Sequence, residues 1–261
     1  MSKNVLKNML KKKHRQRYWE VDSLRGIAIV LMIIYHSLFD LDFFGKVKID
    51  MGAWYLNLLQ KFIASTFIFL VGLSLTISYA KEKKKNKVIG KLNYKDAFLK
   101  YLKRGGIVFG YGLIITLVTW LFLREGFVVF GILHFIGLSI MLSYFFMRYV
   151  KNYFYLLLAV VFIVLGPILQ GITLNTPWLV WLGIMPNYFY SVDYFPLFPW
   201  FGVVLLGLFF GNILYPEGQR KFKIKDLSSK TPIRALSFMG RHSLLIYLLH
   251  QPLIVAVIYL L

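Results

Sequence analysis

Cysteine is absent from the 261-residue chain, which excludes disulfides, thiolate nucleophiles and thiolate metal ligands. Charge is sparse as well: charged residues make up 16% of the sequence, against about 25% in a soluble chain. Acidic residues are scarcest, 11 against 31 Lys and Arg, for a formal net charge of +20. Such an excess suits nucleic acid only where the cations share one soluble face. Here they stand in short blocks between long apolar runs, and 58% of the chain is hydrophobic. These deficits exclude an ordinary soluble domain, a disordered chain and a nucleic-acid partner. What remains is a polytopic membrane protein.

Residues 1–17 form a basic tail with no small-residue cleavage site after it, and so read as the cytoplasmic end of an uncleaved anchor. A single transmembrane domain, 18–261, follows. A span needs about 20 mostly apolar residues. Seven stretches qualify, near 22–41, 60–80, 105–123, 127–147, 153–169, 197–215 and 243–261. With the N-terminus inside, the tail to Arg25, the 81–104 segment, the Arg148/Lys151 turn and 216–241 together hold 27 Lys and Arg, leaving 4 outside. That asymmetry predicts a cytoplasmic N-terminus, an external C-terminus and a plasma-membrane location. Residues 172–191 are apolar but carry Pro177, Pro186 and many aromatics. A full crossing there would put the basic 216–241 segment outside, so they are expected to be re-entrant or interfacial. The Lys-rich 81–104 segment reads as a solvated connector with a helical extension at 93–104. The expected fold class is an all-α integral membrane protein.

Ionisable groups within spans are costly and are functional candidates by default. Arg25 and His36 are eleven residues apart, which returns a helix to nearly the same face about 16 Å further along. Asp22 lies one turn before Arg25, and Asp40 one turn after His36. A carboxylate one turn from an imidazole can orient it as a general base. His134 and His250 fall at a similar depth by residue counting, so a polar chamber shared by three histidines is expected. Three histidines could hold zinc, but no short-spaced ligand pair is present and no metal is expected. The last span has no lysine for a retinal Schiff base. The glycines at 105, 106, 110 and 112 spell no phosphate loop and suit close helix packing.

The stretch RYWEVDSLRGIAIVLMIIYHSLFDL resembles the first membrane helix of two related families. One is the heparan-α-glucosaminide N-acetyltransferase catalytic-domain family in its short prokaryotic form. The other is the membrane acyltransferase-3 family, whose Arg, ten residues, His spacing is reproduced by Arg25 and His36. The likeness continues in order through STFIFLVGLSL, GILHFIGLS, YFPLFPWFGVVLLG and GRHSLLIYLLHQPL, covering nearly the whole membrane region. The resemblance implies transfer of an acyl group, most simply acetyl, from cytoplasmic acetyl-CoA or another acyl-CoA to a sugar or lipid-linked sugar. It assigns the catalytic base to His36 and donor binding to Arg25, with His134 and His250 lining the chamber; helical spacing adds Asp40 to the catalytic group and Asp22 to the donor site. Arg104 and Arg241, at the inner mouth, could hold the donor's phosphates. Tyr35, Ser37, Tyr247 and Gln251 could position substrate or stabilise the oxyanion.

The sequence departs from the family in one respect. The eukaryotic acetyltransferase carries its key histidine beyond the first helix, and residues 41–60 contain none, so an acetyl-histidine intermediate does not transfer. The chain is also shorter than many relatives, which leaves room for a partner or a second copy, a homodimer, to complete the acceptor site. Two other classes fit parts of the pattern. A proton-coupled transporter would use the His–Asp stripe as a relay but should show inverted repeats. A non-catalytic scaffold would not need that stripe.

Overall fold

The computed structural model describes residues 17–89, 94–123 and 125–260. These form eight α-helices: α1 (Trp19–Phe43), α2 (Trp54–Ile89), α3 (Tyr94–Leu123), α4 (Ile132–Tyr149), α5 (Asn152–Gln170), α6 (Leu197–Leu214), α7 (Thr231–Arg241) and α8 (Ser243–Leu260). Among the described residues there is no β-strand, only an isolated bridge between Thr173 and Met185. Seven of the helices, all but α7, are long and apolar enough to cross a membrane. The protein is therefore an all-α integral membrane protein. The basic tail, Arg17 apart, lies outside the described residues, as does Arg124.

Two expected boundaries are corrected. The 81–104 segment is not a loop at its start, because α2 runs on to Ile89 and α3 begins at Tyr94. At 36 residues, α2 is roughly 54 Å long and overshoots a hydrocarbon core of about 30 Å. Ala80 to Lys87 contains no Gly or Pro and several good helix formers, so the helix persists in spite of its charge. Glu82 and Lys100, 2.7 Å apart, tie the two extensions together. The fourth span begins at Ile132, not 127. Residues 172–191 supply no spanning helix. They hold a 3-10 helix, Pro177–Leu182, capped by Thr176 and ended by Gly183 at φ +119°. Trp178, Tyr188 and Tyr190 project from this segment, fully or largely exposed.

The chain divides into two compact units, one built from the two ends of the chain up to Leu70 and from Lys223, the other from Val71–Phe222. In the first unit α1 meets α7 backbone to backbone. A Cβ on Gly26 would strike the Leu236 carbonyl, and one on Gly240 would strike the Asp22 carbonyl. Ser23 and Ser237 share a buried hydroxyl–hydroxyl bond of 2.8 Å at this crossing. Further along α1, Ile29, Met32 and Tyr35 pack with Leu56 and Ile63 of α2, and with Met239, Ile246 and Tyr247 around them.

In the second unit the same device of small residues at helix contacts recurs. Gly105 of α3 and Gly137 of α4 face one another's carbonyls at 2.6 and 2.7 Å from their would-be Cβ atoms. Gly202 of α6 sits likewise on the Ala159 carbonyl of α5, and Thr76 of α2 donates to the Leu208 carbonyl of α6. Of the glycine cluster in α3, Gly105 and Gly112 make close contacts, whereas Gly106 and Gly110 face open space.

Candidate functional site

The polar stripe of α1 is brought against α7 and α8. Three ring and side-chain contacts fix how α8 lies along α1: His36 meets His250, Asp40 meets Gln251, and Phe44 meets Tyr259. The residue numbers rise together along both helices, so α1 and α8 run in the same direction.

Near the start of α1, Arg25 bridges two elements. Its Nη1 donates to Asp22 Oδ1 and to the Gly240 carbonyl near the end of α7, each at 3.3 Å. The carbonyls at a helix end carry partial negative charge, and the half-buried guanidinium takes one of them along with the carboxylate. Arg17 and Arg241 are close enough to act electrostatically on Asp22. Arg241 itself is exposed. Arg104 is exposed too, on α3 of the second unit.

About 16 Å further along α1, the His36 and His250 rings lie 4.9 Å apart, tilted by 60°. Tyr35 stands edge-on to His36, and Tyr247 packs on His250. His250 Nδ1 faces the Tyr247 carbonyl. A carbonyl can only accept, so Nδ1 carries the hydrogen and the neutral ring keeps its lone pair at Nε2. That Nε2 is buried and has no hydrogen-bond partner.

One turn above His36, Asp40 is 4% exposed. Its Oδ1 accepts a long, 3.5 Å hydrogen bond from Gln251 Nε2. Asp40 Oδ2 and Gln251 Oε1 are buried without partners. The expected His36–Asp40 couple is thus not made: no hydrogen bond joins them, and the carboxylate turns to α8. Ser37 donates to the Ile33 carbonyl of its own helix at 2.9 Å, which occupies its only proton.

His134 belongs to the second unit and stands nearer the start of its helix than residue counting from Phe127 placed it. Because α4 starts at Ile132, His134 stands in its first turn. Its Nδ1 accepts the Gly131 N–H at 3.2 Å, which puts the ring hydrogen on Nε2, 3.3 Å from the Thr116 hydroxyl. Phe109 and Phe130 enclose the ring, and Gly112 makes room for it. Asp193 completes the helix start by accepting from the Ile132 N–H at 3.1 Å, a carboxylate where the helix dipole favours one. Both nitrogens of His134 are spoken for, whereas His250 has one to spare.

Sequence reading did not anticipate Asp193, whose partner is 61 residues away with no local signal. It also passed over Ser139 and Ser143, fully buried in α4 with no hydrogen-bond partner for either hydroxyl. Their spacing of four on an apolar helix was the available sign. Among the described residues no group of three or more His, Asp or Glu is arranged to hold a metal.

The family model described as heparan-alpha-glucosaminide N-acetyltransferase, catalytic, matches residues 17–252, across both units. No curated protein and no solved structure matches the chain.

Proposed function

The chain belongs to the heparan-α-glucosaminide N-acetyltransferase catalytic family, a family of membrane acetyltransferases, and on that premise we propose that it moves an acetyl or other acyl group from cytoplasmic acyl-CoA to an extracytoplasmic or lipid-linked glycan. The observation that carries this reading is the pairing of half-buried His36 with buried His250, whose Nε2 is unpartnered, one turn from an unpartnered carboxylate oxygen.

In this reaction the acceptor's O–H or N–H gives its proton to an imidazole as its lone pair attacks the acyl carbonyl carbon. The C–S bond then breaks, and the departing CoA thiolate takes a proton. His36 acts as the base that faces the acceptor. His250, with Nδ1–H committed to a carbonyl, offers only a lone pair while neutral, so it backs His36 as a second proton acceptor. Asp22 and Arg25 form the donor end, with Arg241 at its edge. The guanidinium of Arg25 is held ready by the Gly240 carbonyl. Arg104 adds positive charge to the same cytoplasmic side, where the Lys and Arg of the chain are concentrated. That distribution supports an inside N-terminus in the plasma membrane. Moving only the acyl group spares the phosphates of CoA a passage through hydrocarbon. We assign His134 to holding the start of α4, since neither nitrogen is free to line a chamber. A homodimer would supply surface for a large acceptor.

The test is calorimetric titration of purified protein in detergent with acetyl-CoA and with CoA, wild type beside Arg25→Ala and His36→Ala. Saturable binding that Arg25→Ala weakens about tenfold and His36→Ala spares is the expected result. The transporter reading shares the His–Asp column, and proteoliposomes separate the two. Acyl transfer that persists with no proton gradient is expected here, and proton flux without acyl transfer would replace this reading with the other.

A further inference from the structure

Three buried polar atoms left without partners, grouped where α8 passes the Asp40 end of α1, have one chemical property in common. Asp40 Oδ2, Gln251 Oε1 and His250 Nε2 are all hydrogen-bond acceptors. For Asp40 this holds for the ionised carboxylate, and for His250 it follows from the tautomer set by the Tyr247 carbonyl. For Gln251 it follows from its contact with Asp40: an ionised carboxylate can only accept, so the amide NH₂ turns toward it and the amide oxygen is turned away. The three residues come from two adjacent positions on α8 and from the face of α1 beside them. A buried acceptor left unmatched costs about 1–3 kcal/mol, and a charged one more. Three of them along one helix pair are therefore a feature that a ligand can satisfy.

We infer that Asp40 and Gln251 are the recognition pair for the acyl acceptor, binding it through its hydrogen-bond donors, and that Gln251 sets this specificity by holding the carboxylate with Oδ2 free. The inference rests on the acyltransferase reading for its occupant. It also changes the part Gln251 plays. An oxyanion is stabilised by donors, and the donor end of this amide is turned to the Asp40 carboxylate, so Gln251 serves the acceptor and not the oxyanion. The acyl carbonyl and the phosphates of the donor present only acceptors and would be repelled by the same atoms. A hydroxyl-bearing sugar or a protonated amine on a sugar presents what the pair lacks. The two differ in charge, which the buried carboxylate would register.

The experiment uses the full-length protein in detergent and three probes: glucosamine, glucose and acetyl-CoA, each titrated into wild type, Asp40→Asn and Gln251→Leu. Asp40→Asn keeps the shape and removes the charge, and Gln251→Leu removes the contact that orients the carboxylate. Affinity for the sugar is expected to fall about tenfold in both variants, with acetyl-CoA affinity unchanged. A loss larger for glucosamine than for glucose in Asp40→Asn identifies the ammonium as the group recognised, and equal losses identify the hydroxyls. Sugar affinity that neither variant alters overturns the inference, as does an equal loss for acetyl-CoA or a wild type that binds neither sugar. The base assignment fails separately: transfer that survives His36→Ala, with sugar affinity still sensitive to Asp40→Asn, would sink the base and leave the recognition pair standing.

Discussion

Two buried histidine environments, one in each unit, use the same side chain in opposite ways. His134 accepts from a backbone N–H at Nδ1 and has the Thr116 hydroxyl at Nε2, inside a shell of Phe109, Phe130 and Gly112. His250 gives its one hydrogen to a carbonyl and leaves a buried lone pair facing no partner, beside a second imidazole. A saturated imidazole fixes structure. One that keeps a free lone pair can take a proton. The contrast lies in the count of committed nitrogens, since both rings are equally hidden from solvent, at 2% and 6% exposure.

The largest effect expected from this contrast is on turnover. His36→Ala should lower acyl transfer by about 10²–10⁴-fold, the usual contribution of a positioned base, with the protein still folded and inserted. His134→Ala should leave turnover per folded molecule unchanged and lower stability by about 1–3 kcal/mol, because the buried Gly131 N–H loses its acceptor. Single-turnover kinetics beside thermal unfolding in detergent measures both. If His134→Ala removed turnover at unchanged stability, the division of roles would be broken.

A smaller effect sharpens the same contrast from outside the ring. A Cβ on Gly112 would lie 2.9 Å from His134 Cγ and Nδ1, closer than side chains pack. Gly112→Ala should therefore push the ring off the Gly131 N–H. The expected cost is about 1–3 kcal/mol of overpacking, less whatever the alanine adds to helix propensity. Gly106→Ala, at a position with nothing within 4 Å, is the control. It should be neutral or stabilising by up to about 1 kcal/mol. Equal thermal midpoints for the two variants would mean that the ring adjusts freely and is not a fixed cap.

How far these roles could be read from residues alone depended on the reach of each contact. The seven spans were legible because each is a long apolar run, and Asp22–Arg25 because a spacing of three puts both on one helix face. The extension of α2 was hidden by its charge. A lysine run reads as a solvated loop until Glu82 and Lys100 are seen to join it to its neighbour. Along α1, the stripe of His36 and Asp40 followed from helical periodicity, but not the choice of partner. Spacing of four made the His–Asp couple the natural expectation, and Gln251, 211 residues on, takes the carboxylate instead. His134 was misplaced along its helix for a similar reason. The cap that starts α4 at Ile132 comes partly from Asp193, and no residue just upstream announces it.

The smallest expected effect is also the most specific. Thr116→Val removes the hydroxyl that faces His134 Nε2 and keeps the shape of the side chain. The variant brings His134 to the same count of free nitrogens as His250, and at the same atom, Nε2, but with that atom in the opposite protonation state. Nδ1 still accepts from Gly131, so the unpaired group is an N–H donor and not a lone pair. A donor cannot take a proton. Stability should fall by about 1 kcal/mol, and Thr116→Val added to His36→Ala should restore no acyl transfer. Recovery of turnover in that double variant would mean that any incompletely bonded histidine in this protein can serve as the base. It would then be the tautomer argument, and not the pairing of His36 with His250, that had to be given up.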